Sequence, residues 1–304
     1  MKNYYDFKQQ CKEISKLCPT KFAFSLIEIS IVILVIGISK GSRMVTESKI
    51  KSAQSLTIGS SVVLTKGLSL WLETTMDASF EEDEAIDTAL GDVGTIETWN
   101  DINPLASTPK KATQTTAVNK PRYIKKGING LPVLNFDGVG SSNSDNMDLP
   151  TSDALGIVNS NYEIFIVYQQ RTAGTDFLIS GGSNAYEIHL GAASPNLRFI
   201  SSENVSGDFA DMDVIANITA PHIISARVNG DVATIRLDGN DSSNTTSLGA
   251  KSSDAGALMI GRRLGGGGLP YDGDIGEIII FNKELKNSER TAIENYLRKK
   301  WGIK

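Results

Sequence analysis

The segment that most restricts what this chain can become is Phe22-Ala23-Phe24-Ser25-Leu26-Ile27-Glu28-Ile29-Ser30-Ile31-Val32-Ile33-Leu34-Val35-Ile36-Gly37-Ile38, an apolar run broken by one carboxylate. Before it stand Lys2, Lys8, Lys12, Lys16 and Lys21 against Asp6 and Glu13, so residues 1–23 carry +3 in a 304-residue chain whose total is -5. A basic leader followed by an apolar run is an export signal or a membrane helix, with the lysines holding its start in the cytoplasm and everything after it outside. Phe24 to Ile38 spans about 22 Å as a helix, short of the roughly 30 Å hydrocarbon core, so crossing requires bilayer thinning or snorkelling by Lys21 and Lys40. Glu28 costs on the order of 3 kcal/mol inside such a helix and needs a partner.

Cleavage between Ala23 and Phe24 would supply one. The new α-amino group on Phe24 would lie one helical turn from Glu28, or beside the Glu28 of a neighbouring molecule. On these residues, Ala23|Phe24-Ser25-Leu26-Ile27-Glu28 and the apolar run after them, the segment resembles the type IV prepilin family, pseudopilins of type II secretion included. The resemblance implies cleavage by a prepilin peptidase after Ala23, N-methylation of Phe24, and use of Glu28 for register among other pilin or pseudopilin subunits in a helical filament. It also implies a single pass through the bacterial inner membrane with the C-terminal domain outside the cytoplasm. Two alternatives stay open, a secretory signal cut near Gly37-Ile38-Ser39 and an uncleaved signal anchor.

From Ser42 to Lys66, Ile50, Ala53, Leu56, Ile58 and Val62 recur at roughly helical spacing, which predicts an outward extension of the anchor helix. Beyond it the chain reads as short β-runs separated by turn residues. These include Leu68–Glu73, Pro132–Phe136, Tyr162–Gln169, Phe177–Ser180, Tyr186–Leu190, Leu197–Ser201, His222–Val228, Ala233–Leu237, Leu258–Gly261 and Asp274–Phe281. Asn229-Gly230-Asp231 reads as a hairpin loop. Many strands without alternating helices predict a β-sandwich. One helix closes the chain, capped by Asn287 or Ser288, with Ile293, Tyr296, Leu297 and Trp301 on one face. The expected organisation is a basic leader over 1–23, a pilin-like transmembrane and extending helix over 24–66, and a mainly β sandwich domain over 67–304.

Several pieces in order, Gly67 to Glu73, Trp99-Asn100-Asp101, Lys120-Pro121-Arg122-Tyr123, Asn129 to Gly138, Tyr271 to Asn282 and Tyr296 to Ile303, resemble the concanavalin A-like lectin/glucanase superfamily in its laminin-G-like form. The resemblance implies a jelly-roll of two antiparallel sheets and leaves open sugar binding, protein binding or hydrolysis.

The candidate chemistry is sparse. The glucanase pattern Glu-x-Asp-x-Glu is absent, and Glu81–Asp87 is acidic at the wrong spacing for two carboxyls about 5 Å apart. Glu277 reads as a structural acid sharing a face with Ile275 and Ile279, and Glu187 with His189 reads as a polar outer face opposite Tyr186, Ile188 and Leu190. His222 reads as a capping or hydrogen-bonding group. Two His and two Cys, Cys11 and Cys18 both in the leader, leave little for a zinc site. Ser142–Asp148 and Tyr271–Asp274 could donate oxygens to calcium, while turns use the same residues for local bonds. Gly265–Gly268 lacks the features of a phosphate loop, Arg262-Arg263 is too small a basic patch to signify a partner, and Trp71, Trp99 and Trp301 read as core. A pI near 5.2 with no basic stripe argues against nucleic acid.

The expected function is therefore a pilin-like or pseudopilin subunit of a type IV pilus or type II secretion-like filament that displays a lectin-like domain to a glycan or surface protein. It has no catalytic residues and no resident cofactor, calcium being the one ion left open. The rival readings are an exported glycan-active enzyme and a structural pseudopilin without a ligand.

Overall fold

Runs without polar alternation mark strands that bury both faces, and Tyr162–Gln170 and Asp272–Phe281 are of that kind. The computed structural model describes residues 44–81, 94–140, 144–182, 185–191, 197–201, 209–212, 219–241, 246–248, 250–265 and 269–304. There these two strands pair side by side inside a ten-stranded sheet. Its spatial order is β15 (Asn240–Asp241), β14 (Val232–Leu237), β13 (Pro221–Asn229), β8 (Tyr162–Gln170), β18 (Asp272–Phe281), β6 (Val133–Asp137), β5 (Arg122–Ile124) and β2 (Gly94–Thr95). β1 (Leu68–Glu73) also pairs with β18, and β16 (Thr246–Ser247) with β14. The second sheet orders β12 (Phe209–Met212), β11 (Leu197–Ile200), β10 (Glu187–Leu190), β9 (Asp176–Gly181), β17 (Leu258–Ile260), β7 (Met147–Leu149), β4 (Lys111–Thr113) and β3 (Thr98–Asn100). The described pairings are antiparallel, so the chain is mainly β, with two antiparallel sheets and a C-terminal helix.

Period-two alternation sorts the apolar residues into two cores. Leu70, Leu72, Ile164, Ile166, Tyr168, Ile278 and Ile280 of the larger sheet meet Leu178, Ile188, Leu190, Leu197, Phe199 and Ile260 of the smaller one. The intervening residues Trp71, Phe165, Val167, Ile279 and Phe281 point the other way, into a second core under the C-terminal helix Asn287–Trp301. Ile293, Tyr296, Leu297 and Trp301 fill that core from the helix side, as their spacing predicts.

The chain divides into two units, Met1–Ser48 and Lys49–Lys304. Residues 44–58 are helical, and the helix stops short of the expected Lys66, with Gly59 N donating to Ser55 O at 3.0 Å before a series of turns. Ala53 and Val62 join the second core, and Thr57 Oγ1 lies 3.2 Å from the Tyr296 hydroxyl. The C-terminal helix is capped one residue earlier than expected, at Lys286, because Glu289 reaches back to accept Lys286 N at 2.8 Å. The leader, the apolar run with Ala23, Phe24 and Glu28, and most of Glu81–Asp87 lie outside the described residues. Among the described residues no helix is long and apolar enough to cross a membrane.

Glu277 corrects one expectation. The register of β18 shifts between Ile275 and Glu277, so Ile275 turns into the core between the sheets while Glu277 faces the C-terminal helix with Ile279. Gly276 sits at this bulge, and a Cβ there would run into the Trp301 indole. Glu277 lies directly opposite Glu73 of β1, and both are buried. Lys300 Nζ, also buried, bonds Glu73 Oε2 at 2.6 Å and Glu277 Oε2 at 2.9 Å. Trp71 Nε1 and the Tyr296 hydroxyl donate to Glu277 Oε1 at 2.7 and 2.8 Å, and Trp301 Nε1 donates to its Oε2 at 2.8 Å. Thr75 N and Oγ1 and Ser79 Oγ satisfy Glu73, and Trp99 Nε1 donates to the Glu73 carbonyl. All three tryptophans are thus structural. Burial alone would push Lys300 down, but the charges of Glu277 and Glu73 hold it above its ordinary range; burial would likewise raise Glu73, and Lys300 brings it below the ordinary carboxylate value.

Lys300→Met would leave two opposed carboxylates buried without a cation. The expected loss is about 3–5 kcal/mol, read as a lower urea midpoint at unchanged m-value. A loss below about 1 kcal/mol would show that the triad does not hold the helix to the sheet.

Candidate functional site

With helices covering the outer side of the larger sheet, the outer side of the smaller sheet is the other broad face of the domain. Its side chains follow from strand alternation. On β10, Ile188 and Leu190 enter the core and Glu187 and His189 point outward, as the sequence predicts, with Tyr186 buried beside the core strands. The register then places Phe177 of β9, His189 of β10, Arg198 of β11 and Asp211 of β12 as successive cross-strand neighbours, a row over four strands. Arg198 donates from Nε and NH2 to the two oxygens of Asp211 at 2.8 and 3.0 Å, a bidentate pair. The Phe177 and His189 rings lie 4.6 Å apart between centroids.

The segment after β17 crosses this face. Arg263 Nε donates to Glu187 Oε1 at 3.2 Å while its guanidinium lies 5.4 Å from the Phe177 centroid. Leu264 N donates to Ser180 Oγ at 2.6 Å, and Arg262 Nε approaches Met259 Sδ at 3.1 Å. His189 Nδ1 is buried without a hydrogen-bond partner, 4.0 Å from Glu187 Oε2. Burial first, then the charges of Arg198 and Arg263, push His189 down to about 4, with Asp211 opposing. Burial raises Glu187, and Arg263 offsets part of that rise.

The other candidates resolve into structure. His222 Nδ1 lies 2.7 Å from Asp238 Oδ2, and Asp238 Oδ1 accepts Ile223 N at 2.8 Å, so the pair fastens the start of β13 to the turn after β14. The two stretches considered for calcium do meet at one rim. Asp272 is the cross-strand partner of Asp137, and Asp137 N donates to Asp145 Oδ2 at 3.2 Å. Burial and then the Asp137 charge raise Asp145 to about 7, opposed by Arg122. Yet Thr172 bonds Asp272, Arg171 and Asn135 bond Asp274, and Val139 N bonds Asp137. Among the described residues no group of three His, Cys, Asp or Glu side chains is placed to hold a metal ion. Ser142, Asn143 and Gly266–Gly268 lie outside the described residues, as do Ala23, Phe24 and Glu28.

Sequence reasoning found Glu187 and His189 and missed Phe177, Arg198, Asp211 and Arg263. The first three sit at outward positions of strands, but which residues stand side by side is a matter of pairing register. Arg263, passed over as half of a small basic patch, comes from a loop far along the chain.

No protein-family model and no curated protein matches the chain. Solved structures do share its fold. Trypanosoma rangeli sialidase in complex with sialic acid aligns with a TM-score of 0.51 at 12% identity over 77% of this chain and 33% of its own. The binding domain of Paraclostridial Mosquitocidal Protein 1 aligns at 0.50 and 12% identity, covering 76% of this chain and 52% of its own. Botulinum neurotoxin type C, which interacts with two ganglioside molecules, aligns at 0.50 and 9% identity, covering 78% and 53%. This chain thus spans about a third of the sialidase and about half of the two others, and what it shares with them is a β-sandwich fold of two antiparallel sheets.

A histidine held neutral in the folded state takes up its proton later than the unfolded chain does. His189 should therefore add stability above about pH 6.5 that is lost as pH falls toward about 4. With only two histidines in the chain, His189 and His222, the imidazole NMR signals are separable. The expected His189 midpoint is well below 6.5, and an ordinary midpoint would mean that the ring is open to water.

Proposed function

We propose that this chain is a membrane-anchored, pilin-like subunit whose exported β-sandwich binds carbohydrate on the outer face of its smaller sheet. The row Phe177, His189, Arg198 and Asp211, joined by Glu187 and Arg263, carries the binding half of this reading. Sugar recognition calls for hydrogen-bonding groups fixed in place, and here ion pairs hold both partly exposed guanidiniums against a strand scaffold whose aromatic ring, Phe177, is buried beneath them. The shared fold with ganglioside- and sialic-acid-associated proteins is compatible with this use but does not by itself carry it.

The anchoring half rests on sequence. The basic leader, the apolar run and Glu28 at i+4 from Phe24 support processing after Ala23 by a prepilin peptidase, N-methylation of Phe24, and assembly with other pilin or pseudopilin subunits from the bacterial inner membrane, the sandwich lying outside the cytoplasm. In this reading residues 24–66 form the stalk and 67–304 the displayed domain. A hydrolytic role is disfavoured because Glu73 and Glu277, the two carboxylates opposed across adjacent strands, are sealed beneath the C-terminal helix by Lys300.

Mass spectrometry of the protein from native cells should find N-methyl-Phe24 at the mature terminus; an intact Met1, or a start at Lys40, would sink the pilin assignment. Glu28→Ala should leave export intact and lower filament incorporation at least tenfold. On a glycan array the full chain should bind saccharides, and Arg198→Ala should reduce that signal about tenfold or more while the far- and near-UV circular dichroism stay unchanged.

A further inference from the structure

The buried triad holds an amine against a carboxyl group with a second carboxylate beside them, which is the set of groups an amide condensation needs. Lys300, Glu73 and Glu277 have no exposed side-chain surface. Lys300 Nζ is 2.6 Å from Glu73 Oε2 and 2.9 Å from Glu277 Oε2, and it lies 5.3 Å from the Trp301 ring centroid and 5.7 Å from that of Tyr296. Water is thereby kept from the amine, and amine and carboxyl are held in contact, the situation in which an intramolecular reaction gains most from proximity.

The two acids differ in their donors, and the difference separates their roles. Glu73 Oε1 accepts Met76 N and Ser79 Oγ, while Thr75 Oγ1 donates to Glu73 Oε2 at 2.7 Å. Attack at the Glu73 carboxyl carbon would develop negative charge on Oε1, at which a backbone N–H and a hydroxyl already point. Glu277 instead takes its donors from the Trp71 and Trp301 indoles and the Tyr296 hydroxyl. These neutral groups keep its carboxylate satisfied once the ammonium charge is gone.

We propose that Lys300 and Glu73 condense to an intramolecular isopeptide bond, with Glu277 as the proton carrier. The resting groups are ionic, so the first step moves a proton from Lys300 Nζ to Glu277 Oε2 along their hydrogen bond. The lone pair freed on Nζ attacks Glu73 Cδ, and the N–C bond forms. The bond from Cδ to Oε2 then breaks, and Oε2 leaves as water with two of the three ammonium protons, one of them returned by Glu277. The third proton stays on the amide nitrogen, Oε1 becomes the amide carbonyl, and Glu277 ends as the carboxylate it was. The net charge of the triad is unchanged, and the balance needs no co-reactant. The bond ties the last residue of β1 to the penultimate residue of the C-terminal helix, closing most of the sandwich into one covalent loop and restricting its unfolded state. It is independent of what the domain binds.

Tryptic digestion and mass spectrometry of the purified full chain test this. Trypsin does not cut after an acylated lysine, so the expected product is a branched peptide joining Gly67–Lys110 to Lys300–Lys304, lighter by one water, about 18 Da, than the two peptides separately. At least about half of the molecules should carry it, given the proximity of the groups. Glu277→Gln keeps the shape of the side chain and removes the proton acceptor, so the branched fraction should fall at least about tenfold with the near-UV circular dichroism retained. The digest of the unaltered protein decides whether the bond exists whatever the variant does. Free Gly67–Lys110 and Trp301–Lys304 from nearly all of the unaltered protein would overturn the condensation and leave an ionic triad, and a folded Glu277→Gln protein that is branched to the same extent would overturn the role of Glu277.

Discussion

Two carboxylates face each other across adjacent strands in the interior of this domain, and a single ammonium makes that arrangement tenable. Like charges directly opposite on a sheet repel, and burying them removes the water that would screen them. Lys300 lies within 3 Å of both Glu73 and Glu277, the indoles of Trp71 and Trp301 with the Tyr296 hydroxyl donate to Glu277, and Thr75 and Ser79 donate to Glu73. An apolar trio of equal volume could be as stable. The triad is satisfied with Glu73 opposite Glu277 in the register of β1 on β18 and with the Lys300 side of the C-terminal helix turned toward them. It joins the first strand of the sandwich, the last strand and the last helix.

That closure determines which surfaces remain for function. The C-terminal helix is held again by Arg290, which is buried with Glu163 of β8, while Ser225 Oγ of β13 donates to the same carboxylate at 2.9 Å. Helix and turns thereby cover the outer side of the larger sheet, and its central strands are apolar on both faces. The smaller sheet alternates instead, with Ile188 and Leu190 inward and Glu187 and His189 outward, where the segment after β17 and its Arg263 lie over them. Covering one side of the sandwich is what makes the opposite side the place to look for recognition.

Much of this fold is legible from local patterns. The continuous run Ile275 to Phe281 and the turn at Asn229-Gly230-Asp231 announce a central strand and a hairpin, and Ile293, Tyr296, Leu297 and Trp301 announce a helix with one buried face. The short strands such as β2, β5 and β7 escape because two or three residues carry no period. The bulge at Gly276 defeats the simple alternation that would put Ile275 beside Glu277, for a bulge depends on Trp301 needing room 25 residues later in the chain. The triad itself escapes for a related reason. Glu73 and Lys300 look like surface residues and Glu277 reads as a structural acid without a named partner, and only tertiary pairing shows that each is the reason the others can be buried. At the candidate site the outward direction of Glu187 and His189 is readable, whereas Arg198, Asp211 and Arg263 arrive through register and a loop.

The two kinds of ion pair in this domain call for different explanations. Removing Lys300 strands two charges in a dry interior, so its role is structural. Arg198 and Arg263 are partly exposed, where an ion pair is worth about 0–1 kcal/mol, too little to matter beside Ile188, Leu190, Leu197 and Phe199 beneath them. Stability alone therefore gives no account of why two acids should be buried on that face with arginines laid over them. Buried acids do, however, set the orientation of the guanidiniums above them, and rigid cations on a strand scaffold gain most when something in solution must be met in one orientation.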